Sequence, residues 1–198
     1  MPRQLRQFFP GVSVHLIHRG NNRHPIFADD SDRARFLTLV RRSFEQQQVA
    51  IHGYVLMTNH FHLKVTPAHC LSLPSAMKQL GDKYVAYFNR KHGRVGHLYC
   101  GRPREILIHD ASYSLACLRY IEQNPVRAGM VTRPEDYAWS SYRVNALGEP
   151  CSWLTPHPCY LALGRTPSER QAAYRAMAEP PLSLDDLIEI RVDIAAAS

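Results

Sequence analysis

Residues 59–66, Asn-His-Phe-His-Leu-Lys-Val-Thr, alternate polar and apolar side chains without a break. A period of two is the signature of a strand with one buried face, so Phe61, Leu63 and Val65 point to a core and His60, His62 and Lys64 the other way. Residues 49–57 read as a second strand, joined to the first through Thr58 and Asn59 as a hairpin. The flanking pattern narrows the fold further. Residues 12–18 read as a strand ending in a turn with an arginine on each side, Arg19-Gly20-Asn21-Asn22-Arg23, where Gly and Asn tolerate positive φ.

A helix capped near Asp30 or Ser31 follows and runs to about Gln47, with Phe36, Leu37, Leu39, Val40 and Phe44 as its apolar stripe. A second helix spans about residues 72–92, with Leu73, Met77, Leu80, Tyr84 and Tyr87 or Phe88 at helical spacing and Gly93 as its stop. A Gly- and Arg-rich loop leads to a short strand at 105–108. The order β-α-β-β-α-β predicts an α+β, ferredoxin-like antiparallel sheet with helices on one face, its first and third strands central. The histidine face is then expected to be helix-free and exposed.

A third long helix is predicted from a cap near Asp110 to Asn124, where Pro125 disfavours continuation. Tyr113, Cys117, Tyr120 and Asn124 share one stripe of it, and Leu115, Leu118 and Ile121 another. We expect one main domain over residues 1–148 that includes a basic N-terminal arm. Residues 149–198 are expected to add a proline-containing linker, a short helix at about 167–178 and a poorly ordered tail.

The 198 residues can bury one full core. No apolar run reaches the length of a membrane span, and residues 1–6 lack the apolar stretch of a signal peptide. Five scattered cysteines with no C-x-x-C fit reduced thiols, so a cytoplasmic, nucleoid-associated location is expected. Net charge is +7. Residues 150–198 hold four arginines against six acids, a net of −2, which leaves +9 for residues 1–149. A basic body favours a polyanionic partner, nucleic acid first. Between residues 89 and 104, Arg90, Lys91, Arg94, Arg102 and Arg104 occur with no acid among them, and Arg3, Arg6, Arg19 and Arg23 form a second candidate patch.

With 11 histidines in the chain, a lone H-x-H carries little weight, and its context is Tyr120 and Asn124, four apart on one helical face. Several words now gather in one order: H-F-H at 60–62, Y-x-x-x-N at 120–124, R-G-N-N-R at 19–23, Y-F-N-R at 87–90, G-R-x-G-H-L at 93–98, N-P-V-R-A-G-M-V at 124–131 and W-S-S-Y at 139–142. Over roughly residues 8–165 the chain closely resembles the REP-associated tyrosine transposases, within the insertion-sequence-200-like single-tyrosine HUH transposases. It departs from their usual pattern at Tyr99, where a tryptophan is general, and at Pro103, where a basic or polar residue is.

The resemblance implies His60, His62 and Asn124 as ligands of Mg²⁺ or Mn²⁺ and Tyr120 as nucleophile in single-stranded DNA strand transfer. It also implies DNA contacts from the N-terminal region, Arg3, Arg6, Arg19, Asn21, Asn22 and Arg23, at the foot of a palindromic repeat hairpin. The alternatives are a non-catalytic repeat-hairpin DNA-binding protein and, lower in rank, a metal-dependent hydrolase. Monomer and homodimer both stay open, and with them whether Tyr120 serves its own histidine pair.

Overall fold

The computed structural model describes residues 9–108 and 110–197; Arg3 and Arg6 lie outside them. The first four strands and two helices follow the predicted order: β1 (Ser13–Arg19), α1 (Asp30–Gln46), β2 (Val49–Leu56), β3 (His60–Pro67), α2 (Ser72–Lys91) and β4 (Arg104–Ile108). They form one sheet in the order β2-β3-β1-β4 with every neighbouring pair antiparallel, so β1 and β3 are central. The chain is of mixed α+β class.

The cap of α1 is Asp29, one residue before the expected position. Its carboxylate accepts from Asp32 N–H at 2.9 Å, and the Asp32 side chain accepts in return from the backbone N–H groups of Ala28 and Asp29. That reciprocal box satisfies donors a helix start leaves unpaired. α1 and α2 bury Phe36, Leu39, Val40, Phe44, Leu73, Leu80, Tyr84 and Phe88 against Val14, Leu16, Phe61, Leu63 and Val65. Each such side chain contributes about 1.5–3 kcal/mol of hydrophobic stabilisation. Leu37, Met77 and Tyr87 pack at the rim of this cluster.

The expectation of a helix-free histidine face is not met. α3 (Ala111–Glu122) lies on it, capped by Asp110, whose carboxylate accepts from Ser112 and Tyr113 N–H. Tyr113, Ala116, Cys117 and Ile121 pack with Val55 and Ile108. Gly53 on β2 admits the helix: a Cβ there would stand 2.3 Å from Leu118 Cδ1. His62 and Lys64 are consequently buried, not exposed. Lys64 Nζ donates to the Ser114 carbonyl at 2.9 Å and to its hydroxyl, and burial lowers its pKa to about 8.

From Lys64 a hydrogen-bonded chain continues across the sheet, and its direction is determined. The Thr155 carbonyl can only accept from His52 Nδ1–H, so His52 Nε2 accepts from Thr66, which accepts from Ser13. Ser13 in turn accepts from His157 Nε2–H, and His157 Nδ1 accepts from Ser114 Oγ and Cys159 N–H. The chain ties residues 155–157 to the sheet.

The helix expected to reach Asn124 breaks at Gln123, and a one-turn helix α4 (Asn124–Arg127) follows with Pro125 in its first turn. Beyond it come the short helices α5 (Tyr142–Leu147) and α6 (Pro158–Leu161), then α7 (Pro167–Ala178) at the predicted bounds with a Thr166/Glu169 capping box. The stretch read as a linker lies along β2: Thr155 N–H donates to the Ile51 carbonyl at 2.8 Å, and Trp153 packs on Tyr54 with ring centroids 5.3 Å apart. The tail read as poorly ordered forms α8 (Leu184–Ala196), anchored by fully buried Ile190. Its acids and small residues disguised the helix, but Ser183 caps it by accepting from Asp186 N–H.

Candidate active site

Strand β3 and the helices α3 and α4 bring together the predicted nucleophile and the three predicted metal ligands. His60, His62, Tyr120 and Asn124 line one cavity of about 280 Å³, together with Ile17, His18, Arg19, Cys100, Arg102 and Arg104. Tyr120 therefore stands beside the histidine pair of its own chain. The imidazole centroids of His60 and His62 lie 5.1 Å apart, and the Tyr120 ring lies 6.0 Å from that of His62. The Asn124 amide nitrogen is 3.3 Å from His62 Nε2 and 3.5 Å from the Tyr120 carbonyl.

Both histidines are neutral at ordinary pH. Burial first, then the charge of Arg19, lowers His60 to about 4, and burial takes His62 well below its usual value. Neutral imidazoles keep a lone pair for a metal. His60 Nδ1 donates to Asn59 Oδ1 at 2.7 Å, and Asn59 is itself oriented by donating its amide N–H to the Arg23 carbonyl at 3.1 Å. This leaves His60 Nε2 as the free lone pair. His62 Nδ1 is 2.8 Å from Nε2 of His15, a fully buried residue of β1.

Two neutral nitrogen donors and an amide suit a divalent ion of borderline hardness. The Asn124 atom 3.3 Å from His62 Nε2 is the amide nitrogen, so the amide would turn its oxygen to the histidine pair to serve as third ligand. Among the described residues no group of three or more His, Cys, Asp or Glu gathers to hold a metal. A metal on the histidine pair therefore depends on the Asn124 amide.

Sequence reasoning missed Arg127 and His15. Arg127 Cζ lies 4.0 Å from the Tyr120 ring centroid, and its Nη2 donates to the Tyr120 carbonyl at 2.6 Å. Arg127 stood inside one of the motif words, but its place over the phenol is a tertiary contact that the word does not disclose. The rival tyrosines are engaged on the opposite face of the sheet: Tyr84 donates to the Ile26 carbonyl at 2.6 Å and Tyr87 to Asp32 at 3.2 Å. Glu122 faces away from Tyr120, accepting from Ser141, Asn145 and Tyr174.

The basic residues divide. The loop before β4 is zipped to the end of β1 by Asn21 N–H to the Leu98 carbonyl and Cys100 N–H to the Arg19 carbonyl, both 2.9 Å. Tyr99, where the motif departs from tryptophan, stacks on His18 with centroids 4.1 Å apart. This places Arg19, Arg102 and Arg104 at the cavity, with Arg104 donating to the Ile194 carbonyl of α8 at 3.0 Å. Asn21, Asn22 and Arg23 form an exposed one-turn 3-10 helix in which Asn22 and Arg23 have φ of 51° and 59°. Arg90 is exposed and Arg94 lies 5.6 Å from the Phe88 ring centroid. Lys91 is paired with Asp29 and Asp32, both at 2.7 Å, and so ties α2 to the start of α1.

The family model for IS200-like transposases matches residues 9–124, more than half of the chain and the whole span from β1 to Asn124. The chain belongs to the IS200-like transposase family. A solved REP-associated tyrosine transposase bound to a REP hairpin has the same fold, with a TM-score of 0.62 at 18% identity over 79% of this chain and 93% of that one. A putative transposase from Deinococcus radiodurans R1 aligns with a TM-score of 0.41 at 17% identity, over 56% of this chain and 88% of its own. No functionally curated protein matches the chain. Among the described residues no helix is long and apolar enough to cross a membrane.

Proposed function

We propose that this member of the family cleaves and rejoins single-stranded DNA at hairpins of palindromic repeats through a 5′-phosphotyrosine on Tyr120. The observation that carries the reading is the shared cavity: a half-buried phenol, two neutral imidazoles and an amide face one space bordered by three arginines. Arg19, Arg102 and Arg104 attract the DNA phosphates and hold the scissile one near the phenol. Tyr120 Oη attacks phosphorus and the bond to O3′ breaks, giving 5′-phosphotyrosyl DNA and a free 3′-hydroxyl. One phosphodiester replaces another, so the reverse attack by a 3′-hydroxyl rejoins strands without ATP. The phenolic proton passes to solvent, and the Arg127 guanidinium over the ring places a positive charge beside the reacting phosphate. Held by His60, His62 and Asn124, Mg²⁺ or Mn²⁺ would supply Lewis-acid polarisation and charge neutralisation at the phosphate.

The hairpin preference is supported by the solved relative of the same fold, which is bound to a REP hairpin. The test is incubation of the protein with an end-labelled single-stranded hairpin from the flanks of its own gene, with Mn²⁺ or with chelator. A covalent band that needs the metal is expected. Tight binding with no band would favour the non-catalytic binding protein, and free ends without a band the hydrolase.

A further inference from the structure

A histidine binds a metal through Nε2 when its other nitrogen carries the proton and an acceptor holds it there. For His60 that acceptor is Asn59. The geometry points to His15 as the positioning residue that holds His62 in the Nδ1–H tautomer, leaving the Nε2 lone pair directed at Asn124 and the cavity. This inference rests on the proposed metal-assisted strand transfer.

Two neutral imidazoles can share one hydrogen bond in either direction, and here the neighbours decide between them. Asn124 places its amide nitrogen 3.5 Å from the Tyr120 carbonyl, an oxygen that can only accept, so this end of the amide is the NH₂. The same NH₂ lies 3.3 Å from His62 Nε2, which must then accept and carries no proton. His62 therefore has its proton on Nδ1 and donates it to His15 Nε2 across 2.8 Å. His15 in turn is protonated on Nδ1, a buried nitrogen without a hydrogen-bond partner among the described residues. An unsatisfied buried donor is unfavourable for folding, and its retention beside the cavity is accounted for by the service Nε2 performs.

The register makes the contact available. Ile17 stands directly opposite His62 and His15 opposite Lys64, so His15 and His62 are diagonal neighbours on one face, within reach for two rings. Their rings lie edge to edge, 25° from coplanar with centroids 5.1 Å apart, as the 2.8 Å contact requires, and the Tyr120 ring centroid lies 6.1 Å from that of His15 at 70°. The ring is thus held on one side by the sheet and on the other by the tyrosine-bearing helix. Unlike a carboxylate, an imidazole acceptor orients His62 without adding a charge.

Long-range ¹H–¹⁵N NMR on the metal-free full chain reads the tautomer, and Mn²⁺ binding followed by electron paramagnetic resonance without DNA reads the consequence. The wild type is expected to show His62 as Nδ1–H. His15→Phe, which fills the space without an acceptor, should weaken Mn²⁺ binding on the order of 10–100-fold. His15→Gln restores an acceptor oxygen and should stay within a few-fold of wild type. An Nε2–H tautomer in the wild type overturns the inference, and so does a Phe variant that binds Mn²⁺ as tightly as wild type. The wild-type tautomer decides even where a variant fails to fold. A wild type that binds no Mn²⁺ contradicts the metal-assisted reading itself, whereas the tautomer reports on His15 alone.

Discussion

The side-chain amide of Asn124 stands 3.3 Å from Nε2 of His62, although 62 residues separate them in the chain. Asn124 follows the helix break at Gln123, and its amide nitrogen also lies 3.5 Å from the carbonyl of Tyr120. Replacing Asn124 by Ala should weaken Mn²⁺ binding and adduct formation less than His60→Ala or His62→Ala, because water can substitute for one neutral oxygen. Asn124→Asp adds a negative charge and should tighten Mn²⁺. Mn²⁺ titrations of the four variants test the ranking, and an Ala variant at Asn124 as impaired as the histidine variants would refute it.

Arg127 lies over the ring of Tyr120, and its Nη1 is buried without a hydrogen-bond partner among the described residues. Loss of that charge should lower the rate of adduct formation on the order of 10²-fold, the scale of removing one preorganised electrostatic group. Arg127→Lys keeps the charge without the planar stack and should fall between. Single-turnover rates at saturating DNA separate this from weaker binding; a loss only in DNA affinity would show that Arg127 contacts the strand and leaves the phenol unaffected.

The alternation through residues 60–66 and the capped helical stripes made the sheet and its central strands readable from sequence, and the motif words singled out four residues that the structure brings to one cavity. The covering of the histidine face was not readable. It depends on Gly53, whose missing side chain leaves room for Leu118, and a glycine inside a strand pattern does not announce which element approaches it. His15 stood in the correct alternation of β1, but its partnership with His62 requires the register of two strands 47 residues apart. Lys91 read as one of five basic residues without acids nearby, whereas its partners Asp29 and Asp32 come from the helix packed alongside.

Stability should fall as pH drops from about 6.5 to about 4. Burial lowers His52 and His18 to about 4 and His157 to about 3, away from the usual 6.5. Above 6.5 these groups are neutral in both folded and unfolded chains and contribute no pH dependence. Below it the unfolded chain takes up protons that the folded one refuses, so stability declines until the folded values are reached. Urea melts from pH 8 to 4 on wild type and His52→Gln test this. A variant slope equal to that of wild type would mean that His52 does not supply its share.

Glu122 fastens α5 and α7 to the tyrosine-bearing helix through Ser141, Asn145 and Tyr174, with Tyr174 donating at 2.6 Å. Tyr174→Phe should destabilise the fold by about 1–3 kcal/mol, since a buried acceptor loses a donor. Adduct formation per folded molecule should not change. Denaturant melts paired with active-site titration check both halves, and a selective loss of activity would assign Glu122 a part in the chemistry.

The most direct measurement compares wild type with Tyr120→Phe on the labelled hairpin in Mn²⁺, with peptide mapping of the covalent product. The account predicts an adduct on the peptide that contains Tyr120 in wild type, none in the Phe variant, and nearly equal DNA affinity for both. An adduct that persists in Tyr120→Phe, or maps to Tyr84 or Tyr87, would contradict it.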